Sequence, residues 1–136
     1  MPMGFTVLMR YGSCVYIFYL AVSDRARGGG YGSQTLQQLP LLYPGCQIVV
    51  DFEAILPDAG NNAQRIRRTR FYRRNGFQLT TMRLHYMEDE FVAAWMGAGE
   101  DFDRPGFMDL LNELHRLAPA FDPWYDDKPI VLPEEE

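Results

Sequence analysis

The stretch Ser23–Leu36, SDRARGGGYGSQTL, places Gly28, Gly29 and Gly30 in a row and Gly32 just before a helical pattern. Glycines where a strand hands over to a helix let backbone N–H groups surround an anion, with the positive end of the helix dipole behind them. The chemistry implied is phosphate binding. Spacing excludes two common phosphate loops. A Walker A loop ends in Gly-Lys-Ser/Thr, but Gly32 is followed by Ser33 and Gln34, and the only lysine is Lys128. The dinucleotide fingerprint GxGxxG fails because Ser33 or Thr35 stands where its third glycine belongs.

Few other residues offer chemistry. Cys14 and Cys46 lie in apolar surroundings without a CxxC spacing or a histidine pair, so they read as buried free thiols rather than metal ligands or a disulfide. His85 and His115 share no motif. No metal is expected. A run of arginines, Arg65, Arg67, Arg68, Arg70, Arg73 and Arg74, falls on more than one face of a helix and reads first as a solvated surface, with an anionic phosphate as the sharper alternative. The chain is acidic, with net charge −5 and a pI near 5.0, which argues against nucleic acid or an anionic membrane as partner. Apolar runs such as CVYIFYLAV are too short to span a bilayer, and no signal-peptide pattern opens the sequence. A cytoplasmic protein is expected.

The elements that position these groups follow from periodicity. FTVLMRYG and CVYIFYLAV read as a hairpin. YGSQTLQQLPLLYPG reads as a helix that Pro40 either kinks or ends near Leu39. CQIVVDFEAIL reads as a strand covered on both faces. A basic helix follows, stopped by Asn75-Gly76. QLTTMRLHYM and EFVAAWMG form a second hairpin, and RPGFMDLLNELHRLA is an amphipathic helix. At 136 residues the sequence accommodates one domain, expected over residues 1–118, with an acidic, proline-rich extension over 119–136 that is docked or partly disordered.

Arg27-Gly28-Gly29-Gly30-Tyr31-Gly32 matches the pattern Gln/Arg-x-x-Gly-x-Gly/Ala and resembles the pyrophosphate loop of the GNAT N-acetyltransferase superfamily. RRTRFYRRNGF, about 40 residues on, resembles that family's second signature, Phe-Tyr-x-x-x-Gly-Phe. The resemblance covers roughly Gly4 to Met96. It implies an α+β (α/β three-layer) fold: a mixed, mostly antiparallel twisted sheet flanked by helices. It also implies acetyl-CoA as co-substrate and N-acetyl transfer to a primary amine by direct attack on the thioester. Leu20, Ala21 and Val22 would pair with the pantetheine arm, and Arg27, Gly28, Gly29, Gly30, Tyr31, Gly32 and Ser33 would wrap the pyrophosphate. Tyr72 would protonate the departing thiolate, although packing alone would equally account for a tyrosine there.

Three departures from the family pattern stand out. Many members carry a glutamate on the strand before the glycine loop, where this sequence has Tyr16 and Phe18. Glu53 is the candidate base in its place, with Asp51 behind it, against the plain reading of a solvated strand-end carboxylate. Arg65 occupies a position commonly held by asparagine, and Asn61 or Asn62 is expected to cap the helix instead. The family domain usually begins with a strand and two helices lining the amine pocket, so the resemblance implies an N-terminally truncated or minimal member, or a wall supplied by a partner. An edge strand left open at Phe5 points to a homodimer. The alternative function is a non-catalytic CoA-binding or protein-interaction module that lacks the acceptor pocket.

Overall fold

The computed structural model describes residues 4–22 and 30–133, and for 19, 21 and 22 the backbone alone. β1 (Gly4–Tyr11) and β2 (Cys14–Val22) form the first hairpin, α1 spans Tyr31–Leu42, and β3 spans Gln47–Glu53. α2 (Asn62–Arg74) precedes the hairpin of β4 (Gln78–Tyr86) and β5 (Asp89–Gly97), and α3 (Arg104–Leu117) leads to β6 (Trp124–Asp127). The strands make one sheet in the order β1-β2-β3-β5-β4-β6, in which β2 and β3 are parallel and the other pairs antiparallel.

Both faces of this sheet are buried, as the apolar runs of β2 and β3 require. Val15, Ile17, Ile48, Val50 and Phe52 meet Leu36 and Leu39 of α1 and Tyr72 of α2 in one core. Tyr16, Val49, Met82, Leu84 and Trp95 meet Phe107, Leu110, Leu111 and Leu114 of α3 in the other. Strand alternation decides which neighbour goes where, because successive side chains point to opposite faces. Cys14 and Cys46 are buried and free. α3 is locked onto the start of β3 by two hydrogen bonds. The Gln47 amide donates to the Asp103 carbonyl at 2.7 Å and accepts from the Asp103 N–H at 3.0 Å. Asp103 also caps the helix by accepting from the Gly106 N–H at 3.0 Å.

Several local outcomes sharpen the sequence reading. α1 continues through Pro40 to Leu42. The helix does not end at Leu39, since the proline falls in its last turn. Neither Asn61 nor Asn62 caps α2 through its side chain. Asn61 instead accepts from the Arg65 Nε at 2.7 Å, and Asn62 is spent on the Leu56 backbone, accepting from its N–H at 3.2 Å. Part of the acidic tail forms β6, whose Trp124 ring stacks on His85. Gly97 is obligatory: its φ is +129°, and a Cβ there would lie 2.4 Å from the Cys46 carbonyl oxygen.

Candidate active site

The parallel pair β2–β3 is hydrogen-bonded only from Cys14 to Ile17 and from Gln47 to Val50. Beyond that point β2 runs on to Val22 and β3 to Glu53 without pairing each other. β2 changes course just there. Val7 of β1 faces Tyr19 while Leu8 faces Ile17, so Phe18 is an extra residue, a bulge that bends the strand. The divergence opens a cleft of about 460 Å³, lined among others by Phe18, Leu20, Asp51, Glu53, Tyr72 and Tyr86. A gap between two strands that each keep an outer partner exposes unpaired backbone groups, which suits a ligand that can complete the ladder.

Two carboxylates on β3 face very different company. Asp51 accepts from the Tyr16 hydroxyl at 2.6 Å on one oxygen and from the Tyr86 hydroxyl at 2.7 Å on the other. Burial pushes its carboxyl above the ordinary carboxylate range, against the pull of the two tyrosine hydrogen bonds. Burial and the Asp51 charge raise the Tyr16 and Tyr86 hydroxyls in turn, so both stay protonated donors. Glu53 is held by cations: Arg65 Nη2 is 2.8 Å from it, Arg68 Nη1 is 3.4 Å away, and Asn61 donates at 3.3 Å.

Arg65 explains its own departure from the family pattern. Its buried guanidinium also bridges Asp89 at 2.9 Å and donates to the Ala54 carbonyl at 2.9 Å. It ties α2 to the ends of β3 and β5. Burial opposes ionisation of Asp89, but the Glu90 amide and Arg65 together hold its carboxyl below the usual value. The remaining arginines divide as helical spacing dictates, with Arg67, Arg68, Arg73 and Arg74 exposed. Of these, Arg68 reaches the cleft.

Tyr72 lines the cleft from the α2 side. Its ring is fixed by stacking on Phe52 at 5.0 Å and by edge contacts with Phe71 and Phe77. Burial pushes its hydroxyl up to about 12, so it is a protonated donor through the neutral range. At the other end, Gly30 adopts φ +78° as the residue capping α1. The first helical bond runs from the Gln34 N–H to the Gly30 carbonyl at 2.9 Å, which leaves the N–H groups of Tyr31, Gly32 and Ser33 outside the helical ladder. Arg27, Gly28 and Gly29 lie outside the described residues, as do the side chains of Ala21 and Val22.

Sequence reasoning named Tyr72, Glu53 and Leu20, and all three line one cleft with Asp51. It did not identify Tyr16 and Tyr86 as partners of Asp51. The only signal available was alternation, because Tyr16 sits opposite Val49 and therefore shares a face with Asp51. That register is invisible until the parallel pairing is known.

The family model for the acetyltransferase (GNAT) domain matches residues 1–79. The chain belongs to the GNAT acetyltransferase family. Solved structures agree on the fold, an α+β arrangement that among the described residues has six strands flanked by three helices. A protein from Bacteroides thetaiotaomicron assigned as a GNAT-family acetyltransferase superposes with TM-score 0.62 at 23% identity, covering 89% of this chain and 68% of that one. Ard1 from Thermoplasma volcanium gives TM-score 0.53 at 23% identity over 72% of this chain and 64% of that one. A Bacillus subtilis acetyltransferase in complex with CoA gives 0.51 at 15% identity, covering 71% and 70%. The chain thus spans about two thirds of the length of these GNAT structures. No curated protein has a significant sequence match to it.

Proposed function

We propose that this protein transfers the acetyl group of acetyl-CoA to a primary amine. The observation that carries the reading is the cleft at the divergence of β2 and β3, with Asp51 and Tyr72 both lining it. Acetyl-CoA supplies a thioester: the amine nitrogen bonds to the carbonyl carbon and the carbon–sulfur bond breaks. Family membership supports this, as does a structural relative crystallised with CoA.

The described residues fit such a ligand. A left-handed Gly30 followed by the amide groups of Tyr31, Gly32 and Ser33 makes an anion cradle at the head of a 12-residue helix. The free edge of β2 from Phe18 to Val22 offers backbone groups to an extended amide-bearing arm. Tyr72 donates its proton to the leaving sulfur, for which its high pKa keeps it loaded. Asp51 takes a proton from the nitrogen. It is better suited than Glu53, whose oxygens are already engaged by Arg65, Arg68 and Asn61. The two tyrosines hold Asp51 in place, and its raised pKa strengthens it as a base.

A non-catalytic CoA-binding module is the second reading, favoured by the absence of a carboxylate among the side chains of β2. One experiment separates the two. Calorimetry with acetyl-CoA is followed by thiol-release assays over a panel of primary amines. Binding with turnover supports the enzyme, binding with no turnover on any amine supports the module, and no binding overturns both. We also propose that β1, which ends the sheet and exposes Phe5 and Val7, abuts a second copy of the chain. A clean monomer by light scattering at micromolar concentration overturns that part.

A further inference from the structure

We infer that the acceptor is a simple alkylammonium, an unbranched primary amine with no carboxylate nearby, seated in the cleft between the Asp51 carboxylate and the rings of Phe18, Tyr86 and Phe91. The inference rests on the proposed acetyl transfer and names the substrate class of the same site.

Charge accounting leads to it. The cleft holds three carboxylates, Asp51, Glu53 and Asp89. The latter two are paired with Arg65, and Glu53 also with Arg68. Asp51 is bound only by neutral groups, the Tyr16 and Tyr86 hydroxyls and its own backbone amide, and among the described residues no arginine, lysine or histidine pairs with it. A carboxylate has about four lone-pair sites. Two are used by Tyr16 and Tyr86 and a third by the Asp51 amide, so one remains for an N–H donor. A half-buried carboxylate without a counter-charge is costly unless a cation answers it.

The walls around Asp51 suit a cation with an apolar stem. Tyr86 stacks on Phe91 at 4.3 Å, and Phe18 lies 4.8 Å from Tyr16. Phe121, from the segment between α3 and β6, meets Tyr86 at 5.1 Å and Phe18 at 6.3 Å, bracing both rings from behind. Phe18 is the bulge residue and is 39% exposed, whereas Cys14, Val15, Tyr16 and Ile17 before it are buried. Aromatic faces attract ammonium groups, and their flat apolar surface covers methylene groups. A carboxylate next to the amine would meet the uncompensated Asp51 at close quarters, and the net charge of −5 disfavours its approach. The proton balance closes. The ammonium gives one proton to Asp51, nitrogen bonds to the acetyl carbon, the thiolate takes the Tyr72 proton, and the nitrogen's second proton restores Tyr72 through solvent. Asp51 then releases its proton to water. The sum is ammonium plus thioester going to amide, thiol and one proton.

The test compares butylamine and 1,5-diaminopentane with 4-aminobutanoate, which has the same amine and stem but carries a carboxylate. The expected kcat/KM is at least about tenfold higher for the first two. Phe18→Leu is expected to raise the butylamine KM about five- to twentyfold with kcat within about twofold, and the Tm confirms folding. Equal kcat/KM values across the three, or an unchanged KM in Phe18→Leu, overturn the inference while acetyl transfer stands. If acetyl-CoA binds but no amine turns over, the proposed function falls. The alkylammonium seat at Asp51 is then decided by calorimetric titration of 1,5-diaminopentane into CoA-saturated protein: binding that Asp51→Asn abolishes sustains the seat without an acceptor role, and no binding overturns it.

Discussion

Asp51 and Glu53 sit two residues apart on β3, line the same cleft and carry the same functional group, yet their partners are of opposite kinds. On the side of the sheet that meets α3, Asp51 is held by two hydroxyl groups that orient it without neutralising it. At the α2 end of the strand, Glu53 is clamped by Arg65 and Arg68, which neutralise it and, with a hydrogen bond from Asn61, fix the helix to the sheet. The lesson is that a carboxylate becomes available for proton transfer through what its partners lack. A tyrosine spends one lone pair and no charge, whereas a bound guanidinium answers the charge outright.

Exchanging each carboxylate for its amide tests the contrast most severely. Asp51→Asn should lower kcat by about 10²- to 10⁴-fold with acetyl-CoA affinity within about twofold, as expected for loss of a general base. A steady-state assay beside calorimetry checks it, and near-normal turnover would break the comparison. Tyr72→Phe comes next, with a loss of about 10- to 100-fold in kcat and a Tm close to that of the parent, since Phe52, Phe71 and Phe77 still hold the ring. Arg65→Met should fail on the other axis, costing about 2–4 kcal/mol in urea unfolding, because Glu53 and Asp89 would face each other without their shared cation. Glu53→Gln should cost about 1–2 kcal/mol and change kcat by less than about threefold. A larger kinetic effect there than at Asp51 would reverse the assignment.

The smallest effect is in pH. Asp51 has a folded-state pKa above its unfolded value of about 3.9, so the folded state holds its proton more tightly. Its contribution to stability is fully present below the unfolded pKa and is lost as pH rises through the folded one. Activity should follow the opposite course, rising across that window as the base ionises. In Asp51→Asn the stability change over the window should disappear, as read from Tm against pH. Persistence of the change in the variant would show that another group is responsible.

Legibility in the sequence followed the range of the interactions. The glycine-rich lead into α1 and the Phe-Tyr-x-x-x-Gly-Phe segment were readable because backbone conformation and helix termination are set by residues a few positions apart, as Gly30 and Gly76 show with φ of +78° and +93°. The two-faced burial of β3 was readable from Ile48, Val49 and Val50 for the same reason. Asn61 and Asn62 misled because a capping residue is inferred locally, while here Arg65 and the Leu56 backbone compete for their side chains. The tail gave no strand signal strong enough to foresee β6, which exists through pairing with β4 more than 35 residues earlier.

By itself the sequence determined the order of elements from β1 to α3, the family and the left-handed glycine turn that opens α1, all of which rest on local propensity and short motifs. Only the tertiary structure decided which carboxylate in the cleft lacks a cationic partner among the described residues. That outcome depends on Tyr16, Asp51 and Tyr86 arriving from three strands and on Arg65 turning inward from α2. Long-range register and charge pairing fix those meetings, and neither is written in the spacing of neighbouring residues.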